Sequence, residues 1–183
     1  MNEPDDMTLI QAYLAGDGKA FETLYRRYSK LLYGYLHNLL SGSECEVDEI
    51  FEDTWIKVID KLATYRHEGK FSAWLFRVAR NVFLDVMRKN KNAPRHTESG
   101  ELPELPDWTN GPARELEESE TVRVITEALS ELPEDQREVF LLRQQELSFK
   151  EISEIQSCSI NTVLGRMHYA VRNLRKLITG KVN

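Results

Sequence analysis

The sequence predicts an all-α protein: two small helical domains joined by a flexible acidic linker, the C-terminal domain containing a helix-turn-helix. Three observations predict this organisation. Apolar residues recur at helical spacing along most of the 183 residues, and no segment shows the sustained alternation of a half-buried strand. Residues 98–120 hold eight Asp and Glu against one Arg. After Glu154 the chain carries five Lys and Arg and no acidic residue, although its net charge is -6.

Composition favours a soluble globular protein. The chain is 41% hydrophobic and 30% charged, enough for one medium core or two small ones. Its apolar runs are too short to span a bilayer, and the acidic start MNEPDDMT is unlike a signal peptide. We therefore expect a cytoplasmic protein without membrane insertion. Cys45 and Cys158 lie far apart without CxxC spacing, which favours two unpaired thiols, and no cofactor is indicated.

The first domain, residues 1–97, contains three predicted helices. A capping box of Ser43 and Glu46 predicts the start of the second helix, and the third is expected from about Phe71 to Met87. The residues expected on the inward faces are, for the first helix, Phe21, Leu24, Tyr25, Tyr28, Leu31, Leu32, Tyr35, Leu36 and Leu39; for the second, Val47, Ile50, Phe51, Val58, Ile59 and Leu62; and for the third, Phe71, Trp74, Leu75, Val78, Val82 and Phe83.

The linker, residues 98–120, is "ESGELPELPDWTNGPARELEESE". Its prolines, glycines and like charges resist helix and strand alike, so an extended tether is expected.

The second domain, residues 121–183, begins with short helices. Val122, Ile125 and Leu129 mark the first, and Pro133 is expected in the first turn of the next, which carries Val139, Phe140 and Leu142 inward.

A helix-turn-helix follows these short helices. Ser148 and Glu151 form a capping box, the stretch QSCS interrupts the periodicity, and Ser159 can cap a long basic helix. The inward residues expected on that helix are Val163, Met167, Ala170, Val171, Leu174 and Leu177.

The second helix of such a motif enters the DNA major groove. Asn161, Thr162 and Arg166, near its start, are placed to reach base edges, whereas Arg172 and Arg175 can neutralise phosphates. A solvated helix face is the alternative interpretation of these cations.

Residues 65–95 are a second candidate DNA-binding segment, with eight Lys and Arg against two acids and with aromatic residues interleaved. Cations for phosphates and rings for stacking suit unpaired DNA. Arg80, Asn81, Arg88 and Lys89 are the favoured contacts, because charged side chains rarely lie in a small core. Phe71 and Trp74 fit a core position equally well.

An acidic cluster on the second helix allows an enzymatic alternative. Asp48, Glu49, Glu52 and Asp53 lie on adjacent turns and could bind a divalent metal, as in a nuclease or recombinase. No histidine or lysine accompanies them at ligand or base spacing, so a solvated or protein-binding face explains them without metal. A ligand-sensing repressor is disfavoured because a basic, aromatic helix stands where an apolar pocket would be expected.

Several motifs together resemble bacterial sigma-70 factors of the extracytoplasmic-function (ECF) group. "AFETLYRRY", "DEIFEDTWIKVIDKL" and "FSAWLFRVARNVFLDVMRK" are similar to region 2, and "ELPEDQREVFLLR" with "SINTVLGRMHYAVRNLRKL" is similar to region 4. The resemblance covers nearly the whole chain, with the acidic linker in place. It implies a sigma factor, which is a polymerase subunit for promoter recognition and not an enzyme. A helix-turn-helix regulator that is not a polymerase subunit remains the alternative.

The resemblance also assigns partners and roles. It implies binding to core RNA polymerase and promoter DNA, and an anti-sigma factor as a further partner. Region 4 would read the minus-35 element, and region 2 would melt the minus-10 element, with a flipped base held near the loop from Tyr65 to Lys70. The residues implied for minus-10 contact are Tyr65, Arg66, Lys70, Arg77, Arg80, Asn81, Arg88 and Lys89; those implied for core polymerase contact are Asp48, Glu49, Glu52, Asp53, Trp55 and Lys57.

Overall fold

A computed structural model describes residues 4–41, 47–66, 70–92 and 120–182, and every regular element within these ranges is an α-helix. The all-α prediction is therefore confirmed. The first four helices are called the N-terminal group and the last four the C-terminal group. Their bounds are α1 Asp6–Leu14, α2 Gly18–Leu39, α3 Val47–Leu62, α4 Phe71–Asn92, α5 Glu120–Ser130, α6 Glu134–Gln144, α7 Phe149–Ile155 and α8 Ile160–Val182.

Helix α1 is an element that the apolar spacing does not predict. It has nine residues, and its N-cap Asp5 accepts a hydrogen bond from the backbone N–H of Thr8 at 2.7 Å. The Asp6 carboxylate accepts from Arg27 at 2.5 Å and from the Tyr28 hydroxyl at 2.6 Å. These contacts fix α1 against α2 together with the buried side chains of Leu9 and Ile10, so the helix depends on partners about twenty positions away.

The core of the N-terminal group lies between α2, α3 and α4, largely as their apolar spacing predicts. Phe71 is fully buried and packs its ring against Tyr28, Tyr65 and Trp74. The alternative that Phe71 is a core residue is therefore correct, whereas Trp74 is half-buried. Helix α4 ends at Asn92, five residues beyond the predicted Met87. The predicted cap formed by Ser43 and Glu46 lies outside the described residues.

Local capping signals in the C-terminal group are confirmed. The Ser148 hydroxyl accepts from the Glu151 backbone N–H at 3.2 Å, while the Glu151 carboxylate accepts from the Ser148 backbone N–H at 2.7 Å. Ser159 caps α8 by accepting from the Thr162 backbone N–H at 3.1 Å. The turn between α7 and α8 places Ser157 at φ 52°, the left-handed conformation that glycine more often supplies. Pro133 is the N-cap of α6 and not a first-turn residue.

Two side chains expected on inward faces are instead exposed. Their exposed fractions are 44% for Leu31 and 40% for Val171. Val122 and Ile125, which mark α5, are also exposed, at 37% and 41%. The predicted inward stripes were too wide, because a helix that packs on only one side buries a narrower arc than its apolar residues span.

The two groups pack against each other, an arrangement that the sequence does not predict. Helix α2 lies against α5 and α6, and α4 lies against α7. The buried Arg137 guanidinium of α6 donates to the carbonyls of Leu39 and Ser41 at the end of α2, at 3.1 and 2.7 Å. It also donates to the carbonyls of Ser130 and Leu132, at 3.3 and 3.2 Å. One side chain thus satisfies carbonyls at the ends of two helices, α2 and α5.

Candidate nucleic-acid interface

Helix α4 presents its polar residues along one exposed face. Arg77, Asn81, Arg88 and Lys89 are exposed and follow one another at spacings of four, seven and one residues, while Arg80 beside them is half-buried. Arg88 pairs with Asp85 at 3.0 Å within the same helix, and both side chains remain largely exposed. A backbone phosphate could therefore displace that carboxylate at little cost.

The aromatic residues beside this face form a stack at the start of α4. The half-buried rings of Tyr65 and Trp74 lie 4.8 Å apart, and Tyr65 meets the buried Phe71 edge-on at 5.7 Å. Arg66 and Lys70 flank this stack and are exposed. Residues 67–69 of the expected base pocket lie outside the described residues.

Three of the predicted DNA-contacting cations are held by the C-terminal group. Arg77 donates to Glu154 at 2.9 Å, and Arg80 donates to Glu138 at 2.8 Å. The Lys70 ammonium donates to the backbone carbonyl of Glu146 at 3.2 Å. In this arrangement α6, α7 and the turn between them bind the cations at the start of the α4 face, of which only Arg80 is half-buried.

Glu138 is the most enclosed acidic group among the described residues, at 3% exposed. Its Oε1 accepts from the Tyr35 hydroxyl at 3.1 Å and from Arg80, and its Oε2 accepts from the Gln156 amide at 2.7 Å. Burial raises the pKa of the Glu138 carboxyl above its ordinary value, although Arg80 and the hydrogen bonds oppose this effect. Burial and the nearby Glu138 carboxylate likewise raise the pKa of Tyr35 well above its ordinary value.

Glu138 and Arg137 are functional candidates that the sequence interpretation missed. A signal was present for Glu138, because it precedes the buried Leu142 by four residues and therefore shares its inward helix face. A carboxylate at such a position needs a buried partner.

The start of α8 offers two exposed polar side chains, Asn161 and Thr162, where base contacts were predicted. Arg166, predicted beside them, is placed differently. Its guanidinium donates to Asp135 at 2.6 Å and to Gln156 at 2.9 Å, and its side chain is 24% exposed. Arg166 thus joins α8 to α6 and to the end of α7, and would have to leave Asp135 before it could reach a base.

Further along α8, two predicted phosphate contacts are open to solvent. Arg172 and Arg175 are exposed, and the Arg172 guanidinium lies 4.7 Å from the centre of the Tyr169 ring. Such a stack restricts the side chain without neutralising its charge, so Arg172 remains suited to a phosphate.

The predicted polymerase-binding face on α3 divides into exposed and buried residues. Asp48 and Glu49 are exposed, Glu52 and Asp53 are half-buried, and the Tyr33 hydroxyl donates to Asp48 at 3.1 Å. Trp55 corrects the prediction. It is only 3% exposed and packs against Phe21, Tyr25 and Phe51, so it supports α3 from inside instead of offering a contact surface. Lys57 is half-buried and lies 3.7 Å from Asp85.

Two properties of the described residues bear on the alternative interpretations. No three or more His, Cys, Asp or Glu side chains in this part of the chain are grouped as a metal site requires. No helix there is long and apolar enough to cross a membrane.

Two family models match the chain, in the order in which the helix groups occur. Residues 24–93 match Sigma-70 region 2, and residues 123–174 match Sigma-70 region 4. The ECF RNA polymerase sigma-E factor of Haemophilus influenzae is 28% identical over 185 aligned residues, covering 97% of this chain and 95% of that protein. The RNA polymerase sigma factor YlaC of Bacillus subtilis is 28% identical over 162 aligned residues, covering 87% and 92%.

Two solved structures share the fold. One is the sigma factor RpoE in complex with the anti-sigma factor NepR from Bartonella quintana, with a TM-score of 0.68 and 22% identity over 88% of this chain and 98% of that one. The other is CnrH in complex with the cytosolic domain of CnrY, with a TM-score of 0.67 and 21% identity over 96% and 97%. Both likenesses concern the arrangement of helices.

Proposed function

Because this chain belongs to the sigma-70 family of RNA polymerase sigma factors, in its ECF group, we propose a division of labour between its two helix groups. Residues 1–97 bind core polymerase and open the minus-10 element. Residues 121–183 bind the minus-35 duplex, and the acidic residues 98–120 connect the two. The observation that supports this division is the order of the two matched regions. The first contains the acidic face of α3 and the basic face of α4, and the second contains the exposed cations of α8.

The minus-10 contact is assigned to the exposed face of α4. Asn81, Arg88 and Lys89 are exposed. Lys70 and Arg77 are exposed but bonded to Glu146 and Glu154, and the half-buried Arg80 is bonded to Glu138, so these three cations are released when the C-terminal group moves away. Together with Arg66 and the adjacent Tyr65–Trp74 stack, they provide cations for the backbone and rings for unpaired bases.

The minus-35 contact is assigned to the first turns of α8. Asn161 and Thr162 face solvent at the helix start, where a recognition helix meets base edges. Arg172 and Arg175 lie about three to four turns further along and suit the phosphate backbone. Arg166 is also assigned to base reading, in a state in which its guanidinium has left Asp135 and contacts a base instead.

Core polymerase is assigned to the acidic face of α3, with Asp48 and Glu49 exposed and the half-buried Glu52, Asp53 and Lys57 at its edge. Charged surfaces of this kind act through complementary charge on the partner. The protein acts in the cytoplasm, as an initiation factor and without catalysis of its own. The sigma factor RpoE among the structural neighbours is bound to an anti-sigma factor, and we assign a partner of this kind to the present protein as well.

Selection of DNA by the reconstituted holoenzyme tests the division of labour. Core polymerase with the full chain is offered a randomised duplex library, and bound fragments are sequenced. The proposal predicts two short conserved blocks at a fixed spacing, and substitution of Asn161 should relax only the upstream block. A single block that the free protein binds without core polymerase would instead favour a helix-turn-helix regulator. Metal-dependent cleavage of the library would show a nuclease.

A further inference from the structure

Two side chains at the start of α8 are large, apolar and exposed. Ile160 and Leu164 are 45% and 43% exposed, although the same helix buries Val163 and Ala170. A single exposed apolar residue is common on protein surfaces and needs no explanation. These two lie one turn apart at the end of the helix where base contacts were predicted, so their position indicates a ligand.

Leu164 belongs to the outward face of α8. At 3.6 residues per turn it projects beside Asn161 and His168, which lie three residues before it and four residues after it, and all three are exposed. The buried Val163 and Ala170 project toward the core on another side of the helix. An apolar group therefore stands between two polar groups on the surface that a major groove would meet.

Gly165 lowers this surface beside Leu164. Glycine weakens the interior of a helix relative to alanine. A Cβ atom at this residue would have no neighbour within 4 Å outside the adjacent helix backbone, so the packing of this chain does not require a glycine there. The missing side chain instead allows an external surface to approach the helix backbone closely next to Leu164.

The charge of α8 indicates that the external surface is DNA. The helix contains five Lys and Arg and no Asp or Glu, and Arg172 and Arg175 are exposed further along it. A DNA duplex supplies phosphates for these cations. Its major groove also presents an apolar group at the base edges, the 5-methyl group of thymine, which apolar side chains contact.

We propose that Leu164 contacts the 5-methyl group of a thymine in the minus-35 element and contributes to its sequence preference, with Ile160 extending the apolar contact. The inference rests on the proposed function, because it takes α8 as the helix that enters the minus-35 duplex. Asn161, on the same face, is suited to adenine N6 and N7. The upstream block selected by the holoenzyme therefore contains A·T pairs, and Leu164 favours thymine over cytosine at the base that it meets.

Deoxyuridine tests this contact through a single group, because it pairs as thymidine does and lacks only the 5-methyl group. Each thymine of the upstream block, in a duplex selected by the holoenzyme, is replaced singly by deoxyuridine, and holoenzyme affinity is measured by fluorescence anisotropy. Replacement at the contacted thymine is expected to weaken binding about two- to fourfold, as loss of contact with one methyl-sized apolar group predicts. The same replacement in the spacer between the two blocks should leave affinity unchanged.

Two exposed apolar residues of α8 provide the test variant and its matched control. In Leu164→Ala, the duplexes with thymine and with deoxyuridine should bind equally well, because the side chain that meets the methyl group is gone. Val171 is 40% exposed and lies about 10 Å further along the helix, toward the phosphate contacts. Val171→Ala should therefore keep the full effect of deoxyuridine. Circular dichroism verifies unchanged helical content in both variants.

The outcomes separate failure of this contact from failure of the proposed function. Three results would overturn the contact alone: an upstream block without A·T pairs, unchanged affinity at every deoxyuridine position, or an effect of deoxyuridine that persists in Leu164→Ala. In each case α8 would still read the upstream block through other residues. If the holoenzyme selects no upstream block, or if substitution of Asn161 leaves that block unrelaxed, the assignment of α8 is wrong and the contact fails with it.

Discussion

Replacement of Arg166 by alanine is expected to weaken both the C-terminal group and its discrimination between DNA sequences. Arg166 donates to Asp135 at 2.6 Å and to Gln156 at 2.9 Å, and thereby ties the recognition helix to α6 and α7. A hydrogen bond with a charged partner contributes about 1.5–3 kcal/mol when it is enclosed, and an exposed ion pair about 0–1 kcal/mol. The Arg166 side chain is 24% exposed and that of Asp135 is 54% exposed, so a combined loss of about 1–2 kcal/mol is expected.

Amide hydrogen exchange measures this loss directly in the affected helices. A change of about 1–2 kcal/mol corresponds to about 5–30-fold faster exchange for amides in α7 and α8 that open as one unit. Discrimination between DNA sequences is measured as the difference in holoenzyme affinity between a selected duplex and a version with a scrambled upstream block. If Arg166 also reads a base, Arg166→Ala costs about 1–3 kcal/mol more on the selected duplex than on the scrambled one.

Two companion variants separate the structural contribution of Arg166 from base reading. Arg172→Ala, at an exposed residue, should leave exchange unchanged, weaken both duplexes alike and lower the salt slope by about one. Asp135→Ala releases the Arg166 guanidinium, which should tighten binding to the selected duplex if Arg166 reads bases after leaving Asp135. If amide exchange is unchanged in Arg166→Ala, Arg166 does not stabilise the C-terminal group. If the variant loses the same affinity for both duplexes, Arg166 does not read a base.

The remaining predictions concern three other parts of the molecule. The double substitution Asp48→Lys and Glu52→Lys should reduce co-purification with core polymerase at unchanged helical content. Asp60→Lys, at an exposed position near the other end of α3, should leave co-purification unchanged. If the double variant co-purifies with core polymerase as fully as Asp60→Lys does, the α3 face does not bind core polymerase. Phe71→Ala should lower the free energy of unfolding in urea by about 3–5 kcal/mol, because this side chain is fully buried; a loss below about 1 kcal/mol would contradict its place in the core. Burial raises the pKa of the Glu138 carboxyl in the folded protein. The folded state therefore binds this proton more tightly than the unfolded state, so the contribution of Glu138 to the free energy of unfolding falls as pH rises from the ordinary carboxyl pKa to the raised one. Glu138→Gln should weaken this pH dependence, measured as the free energy of unfolding in urea at several pH values. An unchanged pH dependence would mean that it comes from other carboxyl groups.

Local signals account for most of what could be predicted from the sequence. The capping box at Ser148 and the cap at Ser159 depend on atoms within three residues, and both form as predicted. The burial of Phe71 follows from helical spacing. The family resemblance likewise depends on short motifs in a fixed order, so it could be recognised without a structure.

Long-range contacts account for what could not be predicted. Helix α1 is held by Asp6 through partners 21 and 22 residues away. Arg80 and Glu138 are 58 residues apart, and Arg166 lies 31 residues from Asp135. Helical spacing assigns residues to a face but does not say which other helix covers it. For that reason Arg80 and Arg166 could be predicted as cations near DNA, but not as members of one network between the two helix groups.

Transcription with purified components tests whether this chain is the subunit that gives core polymerase its promoter specificity. Core polymerase alone and core polymerase with the full chain are compared on a linear template that carries a sequence selected by the holoenzyme, and transcript ends are mapped. We expect a discrete start site a short distance downstream of the selected blocks, present only with the protein and lost when the minus-10 block is scrambled. Formation of a stable complex with core polymerase that yields no such transcript, or the same transcript from core polymerase alone, would contradict this expectation.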